Sequence, residues 1–200
     1  YRGASPSQAA ILEGEGETGV SLMRMDEEID HGPVYATVSV TIGGDDTAET
    51  LERKLADAAA ALLLDRLPAI VDGSLAAHEQ NHGAATFTNI IDRGDGMVSW
   101  KDEDALRIER KLRAYTPWPG LHASWQRGGD SAMRIKIIRA AMIAEATGTP
   151  GKVFVAPSGN PAVYAKSGAL ELIELQPEGK KPMSGTAFLN GYRDFASAAL

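Results

Sequence analysis

The sequence predicts a mixed α/β segment followed by a small β-barrel that carries one helix. Three observations lead there. Two β-rich runs and two helical patterns fill the first 75 residues. A stretch without periodicity follows, rich in Gly, Asn, Thr and Asp, over Leu75–Gly96. Beyond it, one amphipathic helix precedes five short strand-like runs separated by turn residues. We therefore expect an α/β domain over 1–75, a linker over 76–97 and a barrel domain over 98–200, with the oligonucleotide-binding barrel as the leading architecture.

In chain order, Pro6–Glu13 reads as a two-turn helix stopped by Gly14. Gly19–Met25 and Val34–Val40 read as strands, the second alternating apolar and polar neighbours. Between them, Asp26-Glu27-Glu28-Ile29-Asp30-His31-Gly32-Pro33 is too charged and turn-prone for a core, so its carboxylates lie on a connecting loop. Asp46 and Glu49 have capping-box spacing ahead of Leu51, Leu55, Ala58, Leu62 and Ala69, a helix that Pro68 is expected to kink or divide. The helix of the second half spans about Asp102–Ala114, with Ala105, Ile108 and Leu112 on one face, and Thr116-Pro117 stops it. Strands follow at His122–Gln126, Met133–Ile143, Gly151–Ala156, Ala162–Lys166 and Ala169–Gln176, with the register change in Leu170–Leu175 read as a bulge. After a Pro/Gly turn bearing Lys180 and Lys181, a short helix starts near Ser184 and docks Phe188 and Leu189.

Composition narrows the chemistry. With no cysteine, disulfides, thiolate nucleophiles and Cys-based metal sites are excluded, and any catalysis uses carboxylate, imidazole, hydroxyl or backbone groups. No apolar run reaches the ~18 residues of a membrane span, and the first residues lack a secretory pattern. The net charge of −7 conceals an asymmetry. Residues 1–97 carry 6 Lys/Arg against 17 Asp/Glu, and residues 98–200 carry 14 against 10, giving −11 and +4. A basic second half is consistent with phosphate binding, and equally with uneven surface charge. His78, His82 and His122 form no zinc spacing, so no metal site is expected.

Specific strings carry a resemblance. Tyr1-Arg2-Gly3-Ala4-Ser5-Pro6, Gly14–Val20 and Met23–Gly32 are similar, in order and spacing, to the second half of the catalytic domain of the methionyl-tRNA formyltransferase family. Trp118-Pro119-Gly120 and Leu175–Ser184, followed by Phe188–Tyr192, resemble that family's C-terminal domain. The resemblance implies the end of a Rossmann-like formyltransferase domain followed by an OB-like barrel. It implies transfer of a formyl group from 10-formyltetrahydrofolate to the amino group of initiator methionyl-tRNA, by a monomer without metal, in a bacterial cytoplasm or an organelle matrix.

Residue by residue, the family's catalytic Asp falls on Asp30, which the resemblance pairs with a His to take the proton of the attacking amine. Asp26, Glu27, Glu28 and Ile29 become candidate folate contacts. Arg107, Arg110, Lys111, Arg113, Arg134, Lys136, Arg139, Lys180 and Lys181 become candidate tRNA contacts, positioning phosphates rather than reading bases. The family's Asn-x-His pair lies ahead of the position of Tyr1, so the chain reads as a fragment expected to be inactive alone. His31 stands where the family usually has Thr, and the family's usual linker lysine near Ile90 and Asp near Ser99 are absent. Two alternatives stay open: formylation of a sugar-nucleotide amine, and a noncatalytic tRNA-binding module.

Overall fold

The computed structural model describes residues 1–128 and 132–200. They divide into two compact units, Tyr1–Ile91 and Asp92–Leu200.

The first unit begins with a two-residue strand, β1 (Arg2–Gly3), and helix α1 (Pro6–Glu13). Gly14 ends α1 in the left-handed region at φ 75°, which lets its amide and that of Glu15 close on Ile11 and Ala10 carbonyls. β2 (Glu17–Met23) and β3 (Val34–Thr41) pair antiparallel with Val20 opposite Val38, and a bulge at Leu22/Met23 re-aims the chain into the acidic loop. Helix α2 (Ala48–Val71) is capped by a reciprocal Thr47–Thr50 box rather than from Asp46. Asp46 has other work. Its buried carboxylate accepts from the Gly43 amide at 2.6 Å and from Lys54 Nζ at 2.6 Å, fastening the preceding turn to the helix. Pro68 does not divide α2, because it lies in the last turn, where little helix remains to be broken.

The stretch after Leu75 has structure that periodicity could not reveal. His78 exchanges both backbone hydrogen bonds with Val34, at 2.8 and 2.9 Å. β4 (Phe87–Thr88) pairs parallel with β1. Gly3, at φ 105°, makes that approach possible, since a Cβ there would lie 2.7 Å from the Thr88 carbonyl.

In the second unit, Asp104 caps helix α3 (Ala105–Ala114) by accepting the Arg107 amide at 2.6 Å, which is why the helix starts later than Asp102. The strands are β5 (Leu121–Trp125), β6 (Met133–Ile143), β7 (Val153–Val155), β8 (Pro161–Tyr164), β9 (Ala169–Pro177) and β10 (Met183–Ser184). They form one antiparallel sheet in the order β5-β6-β9-β8-β7, with β10 also on β9. The expected bulge is real: the β6–β9 register shifts about Arg139, which allows Leu172 and Leu175, three residues apart, both to enter the core.

A closed barrel is not what these ladders make. Among the described residues, β5 and β7 do not pair, and the expected OB-like closure is replaced by an open sheet whose edges are covered separately. Met97 bridges His122 on β5, and the C-terminal residues run beside β7, where the Val153 amide donates to Ala198. β7, three residues long, offers too short an edge for closure.

Inside the sheet, Trp125 meets Phe188 and Phe195 edge-on, with ring centroids 6.4 and 4.9 Å apart. Phe188 comes from α4 (Gly185–Gly191), which starts where the sequence places it, with the Ser184 side chain accepting the Ala187 amide as its cap. Gly185 permits this docking, because a Cβ there would lie 2.2 Å from the Leu172 carbonyl. Phe188→Ala should cost about 3–5 kcal/mol. Urea denaturation followed by tryptophan fluorescence reads this unit selectively, since all three tryptophans lie in it; a loss below ~1 kcal/mol would contradict the packing described.

Candidate active site

The loop between β2 and β3 is closed at its neck. Arg24 donates its amide to the Pro33 carbonyl at 2.9 Å, and a Cβ on Gly32 would lie 1.8 Å from the Arg24 carbonyl, so only glycine fits there. At the far side Asp30 adopts φ 55°, the left-handed region that a non-glycine residue seldom occupies. Its Oδ2 accepts the Gly3 amide at 2.8 Å. The Arg-Gly string at the start of the chain and the acidic loop therefore meet at one carboxylate.

Asp26 and Asp30 have different surroundings. Asp26 Oδ1 accepts the Glu28 amide at 3.0 Å, and its Oδ2 faces His31 Nδ1 at 2.7 Å. The hydrogen bond from His31 holds the Asp26 carboxyl below the ordinary carboxylate range; slight burial opposes it and the Glu28 amide assists. Glu27, Glu28 and Ile29 are exposed, and Ile29 and Met25 present 80% and 87% of their surface. Large apolar side chains this exposed, on a loop that also carries Asp26, Glu27 and Glu28, are the unusual feature of its surface.

Three participants were missed by sequence reasoning. Gln80 Nε2 donates to the carbonyls of Asp30 at 3.0 Å and Gly32 at 2.6 Å. Arg2 donates to Gln80 Oε1 at 2.9 Å and approaches His82 Nδ1 at 3.1 Å. The His82 ring stacks on His31 with centroids 3.8 Å apart and planes 7° from parallel. Gln80 and His82 lie in what reads as linker, with no periodicity to flag them. No group of three or more His, Asp or Glu suited to a metal ion occurs among the described residues.

The basic residues of the second unit separate into two groups. Lys111 binds Glu103 at 2.7 Å and the Met97 carbonyl at 2.7 Å, and Arg113 forms a two-point pair with Glu109, so both brace α3. Arg107 and Arg110 are half-buried on the same helix. Arg134, Lys136, Arg139, Lys180 and Lys181 are exposed, and the last four make no ion pair among the described residues. Arg134 and Lys136 share the outer face of β6, and Glu178, which opens the Lys180–Lys181 turn, donates its amide to the Arg134 carbonyl.

His122 is buried beneath that face, with Arg134 Nη2 3.1 Å from its Nδ1. A guanidinium can only donate, so Nδ1 accepts and the Gly120 carbonyl, 3.5 Å away, is no partner. Burial pushes the imidazole below its usual range, and the Arg134 charge adds to it. Trp125 is core, whereas Trp118 is 53% exposed.

Family models match both units. Residues 1–67 match the formyl transferase model and residues 90–193 match the formyl transferase C-terminal domain, and the chain belongs to the formyl transferase family. Among its curated relatives are methionyl-tRNA formyltransferases of Roseiflexus sp. strain RS-1, 38% identical over 96% of this chain and 58% of the relative, and of Chloroflexus aurantiacus, 40% identical over 96% and 60%. The chain thus spans about three fifths of the length of these relatives. Two solved structures share the fold. HypX from Aquifex aeolicus in complex with tetrahydrofolic acid has a TM-score of 0.68 at 19% identity, covering 96% of this chain and 33% of that one. An N-formyltransferase from Helicobacter canadensis, in complex with folinic acid and dTDP-3-aminofucose, has a TM-score of 0.65 at 20% identity, covering 86% and 61%.

Two titrations check the electrostatics. By carboxyl NMR, Asp26 should titrate below the ordinary carboxylate value of about 3.9 and return toward it in His31→Gln. Its pairing with His31 supports the loop above that pH and is lost as the pH falls through its lowered value. An unshifted Asp26 in the parent would contradict the contact. His122 should titrate below about 6.5, so its contribution to stability is present above that value and fades on acidification. Titration at or above 6.5 would contradict the burial of the ring beside the Arg134 guanidinium.

Proposed function

We propose that this chain is the formyl-transfer and tRNA-binding portion of a methionyl-tRNA formyltransferase, with 10-formyltetrahydrofolate as donor and initiator methionyl-tRNA as acceptor. The observation that carries this reading is Asp30, held in a left-handed turn with its carboxylate fastened to the Gly3 amide, at the position where the resemblance puts the family's catalytic aspartate. The curated relatives support the acceptor.

In this mechanism Asp30 works with an Asn and a His supplied by the part of the enzyme that precedes Tyr1. Oδ2 is engaged by the Gly3 amide, which leaves Oδ1 as the oxygen for the proton chemistry. The ionised carboxylate orients the imidazole and balances the positive charge as the attacking amine loses its proton. Met25, Ile29 and the backbone of Asp26–Ile29 would hold the folate, whose bound form supplies the formyl group. The Asn and His donors stabilise the oxygen on which charge develops.

Residues 98–200 form the tRNA-binding domain, 1–75 the end of the catalytic domain, and 76–97 the joining segment. Lys136, Arg139, Lys180 and Lys181, with Arg134, set the phosphate-contacting face. Lys111 and Arg113 serve α3 first, and Arg107 and Arg110 flank them. The enzyme acts as a monomer, in the bacterial cytoplasm or an organelle matrix, where initiator tRNA is charged.

The test joins this chain to the N-terminal portion of the Chloroflexus aurantiacus relative and measures formylation of methionyl initiator tRNA. Asp30→Asn, which keeps shape and removes the charge, should lower the rate by roughly 10²–10⁴-fold. A variant within about threefold of its parent would overturn the assignment.

A further inference from the structure

Residues 68–89 lie between the two family matches. Within that interval, His78, Gln80 and His82 form a strap along the acidic loop. His78 pairs with Val34 through the backbone, Gln80 reaches Asp30 and Gly32, and His82 stacks on His31. His82 opens the short 3-10 turn His82–Ala84, soon after the bridge that fixes His78.

Gln80 is fully committed by chemistry. Carbonyl oxygens only accept and a guanidinium only donates, so Nε2 must face Asp30 and Gly32 and Oε1 must face Arg2. Both amide hydrogens are thereby spent on the two carbonyls that flank His31. Those carbonyls belong to the residue at φ 55° and to the glycine in the neck of the loop. A left-handed aspartate relaxes toward the commoner right-handed or extended regions unless its peptide is fixed from outside. Relaxation at Asp30 would swing its carbonyl away from Gln80 and its carboxylate away from the Gly3 amide. Arg2 adjoins Gly3, so the strap holds both ends of the Asp30–Gly3 hydrogen bond.

We propose that Gln80 is a positioning residue for formyl transfer: it fixes the peptide of Asp30 so that the carboxylate is presented in one orientation, without itself touching substrate. The proposal rests on the reading of Asp30 as the catalytic carboxylate. It assigns to the joining segment a role in the reaction beyond connecting two domains.

The test uses Gln80→Glu and Gln80→Ala. Glutamate keeps the length and the acceptor for Arg2 but loses both donors, so it separates the clamp on Asp30 from the contact with Arg2. In the 200-residue chain, amide exchange of Gly3 should speed up by at least about tenfold in both variants, with the β2–β3 ladder still protected. In the chain joined to the Chloroflexus N-terminal portion, kcat for formyl transfer should fall roughly 10–100-fold, with KM for both substrates within about threefold. Unchanged Gly3 exchange in both variants would overturn the clamp. A raised KM with kcat intact would overturn the positioning role in favour of substrate binding. A joined parent that is inactive would instead overturn the formyl-transfer reading, while the exchange result still decides whether Gln80 holds the loop.

Discussion

The hydrogen bond from the Gly3 amide to the Asp30 carboxylate is the contact on which the first unit is organised. It joins the start of the chain to a loop 27 residues away. Three features conspire to make it possible. Gly3 takes a φ open to glycine, Asp30 accepts a left-handed backbone, and Gly32 lets the loop close against the Arg24 carbonyl. Around it, the Thr88 hydroxyl accepts the Ser5 amide and donates to the Arg2 carbonyl, so the β1–β4 pair is knitted at the same point. The carboxylate at the candidate site is thus positioned by backbone groups, which have few ways to move.

Much of the architecture was legible because it follows from side-chain period and turn chemistry. The Pro6–Glu13 helix, the strands flanking the acidic loop, the amphipathic α3 and the Phe188 docking helix all carry local signals that tertiary packing reinforced. The bulge in β9 was readable because Leu170, Leu172 and Leu175 cannot share a face in a regular strand. Closure of the sheet was not readable. Whether two edge strands meet depends on their length and on what else reaches the edge, and here the backbones near Met97 and Ala198 reach it first.

The site divides along a similar line. Asp30 was singled out as a candidate by resemblance, because its string is specific. Gln80, His82 and Arg2 could not, since their roles arise from two-residue strands and single bridges that leave no periodic trace. The choice of N-cap shows the same limit on a smaller scale. Asp46 and Thr47 both suit a cap, and the decision goes to Thr47 because Lys54 and the Gly43 amide claim the Asp46 carboxylate. Positive residues on α3 likewise looked available as a group, yet Lys111 and Arg113 neutralise acidic neighbours and shape the helix before any nucleic acid could use them.

The central claim is that the Asp30 loop and the basic face of the second unit serve one acceptor, a methionyl-tRNA. The most direct measurement offers the chain, joined to the N-terminal portion of its Chloroflexus relative, two acceptors in competition with 10-formyltetrahydrofolate as donor: methionyl initiator tRNA and a dTDP-linked amino sugar. The account predicts formyl-methionyl-tRNA as the product, suppressed when Lys136, Lys180 and Lys181 are replaced by alanine. Formylation of the sugar with the tRNA untouched would contradict it.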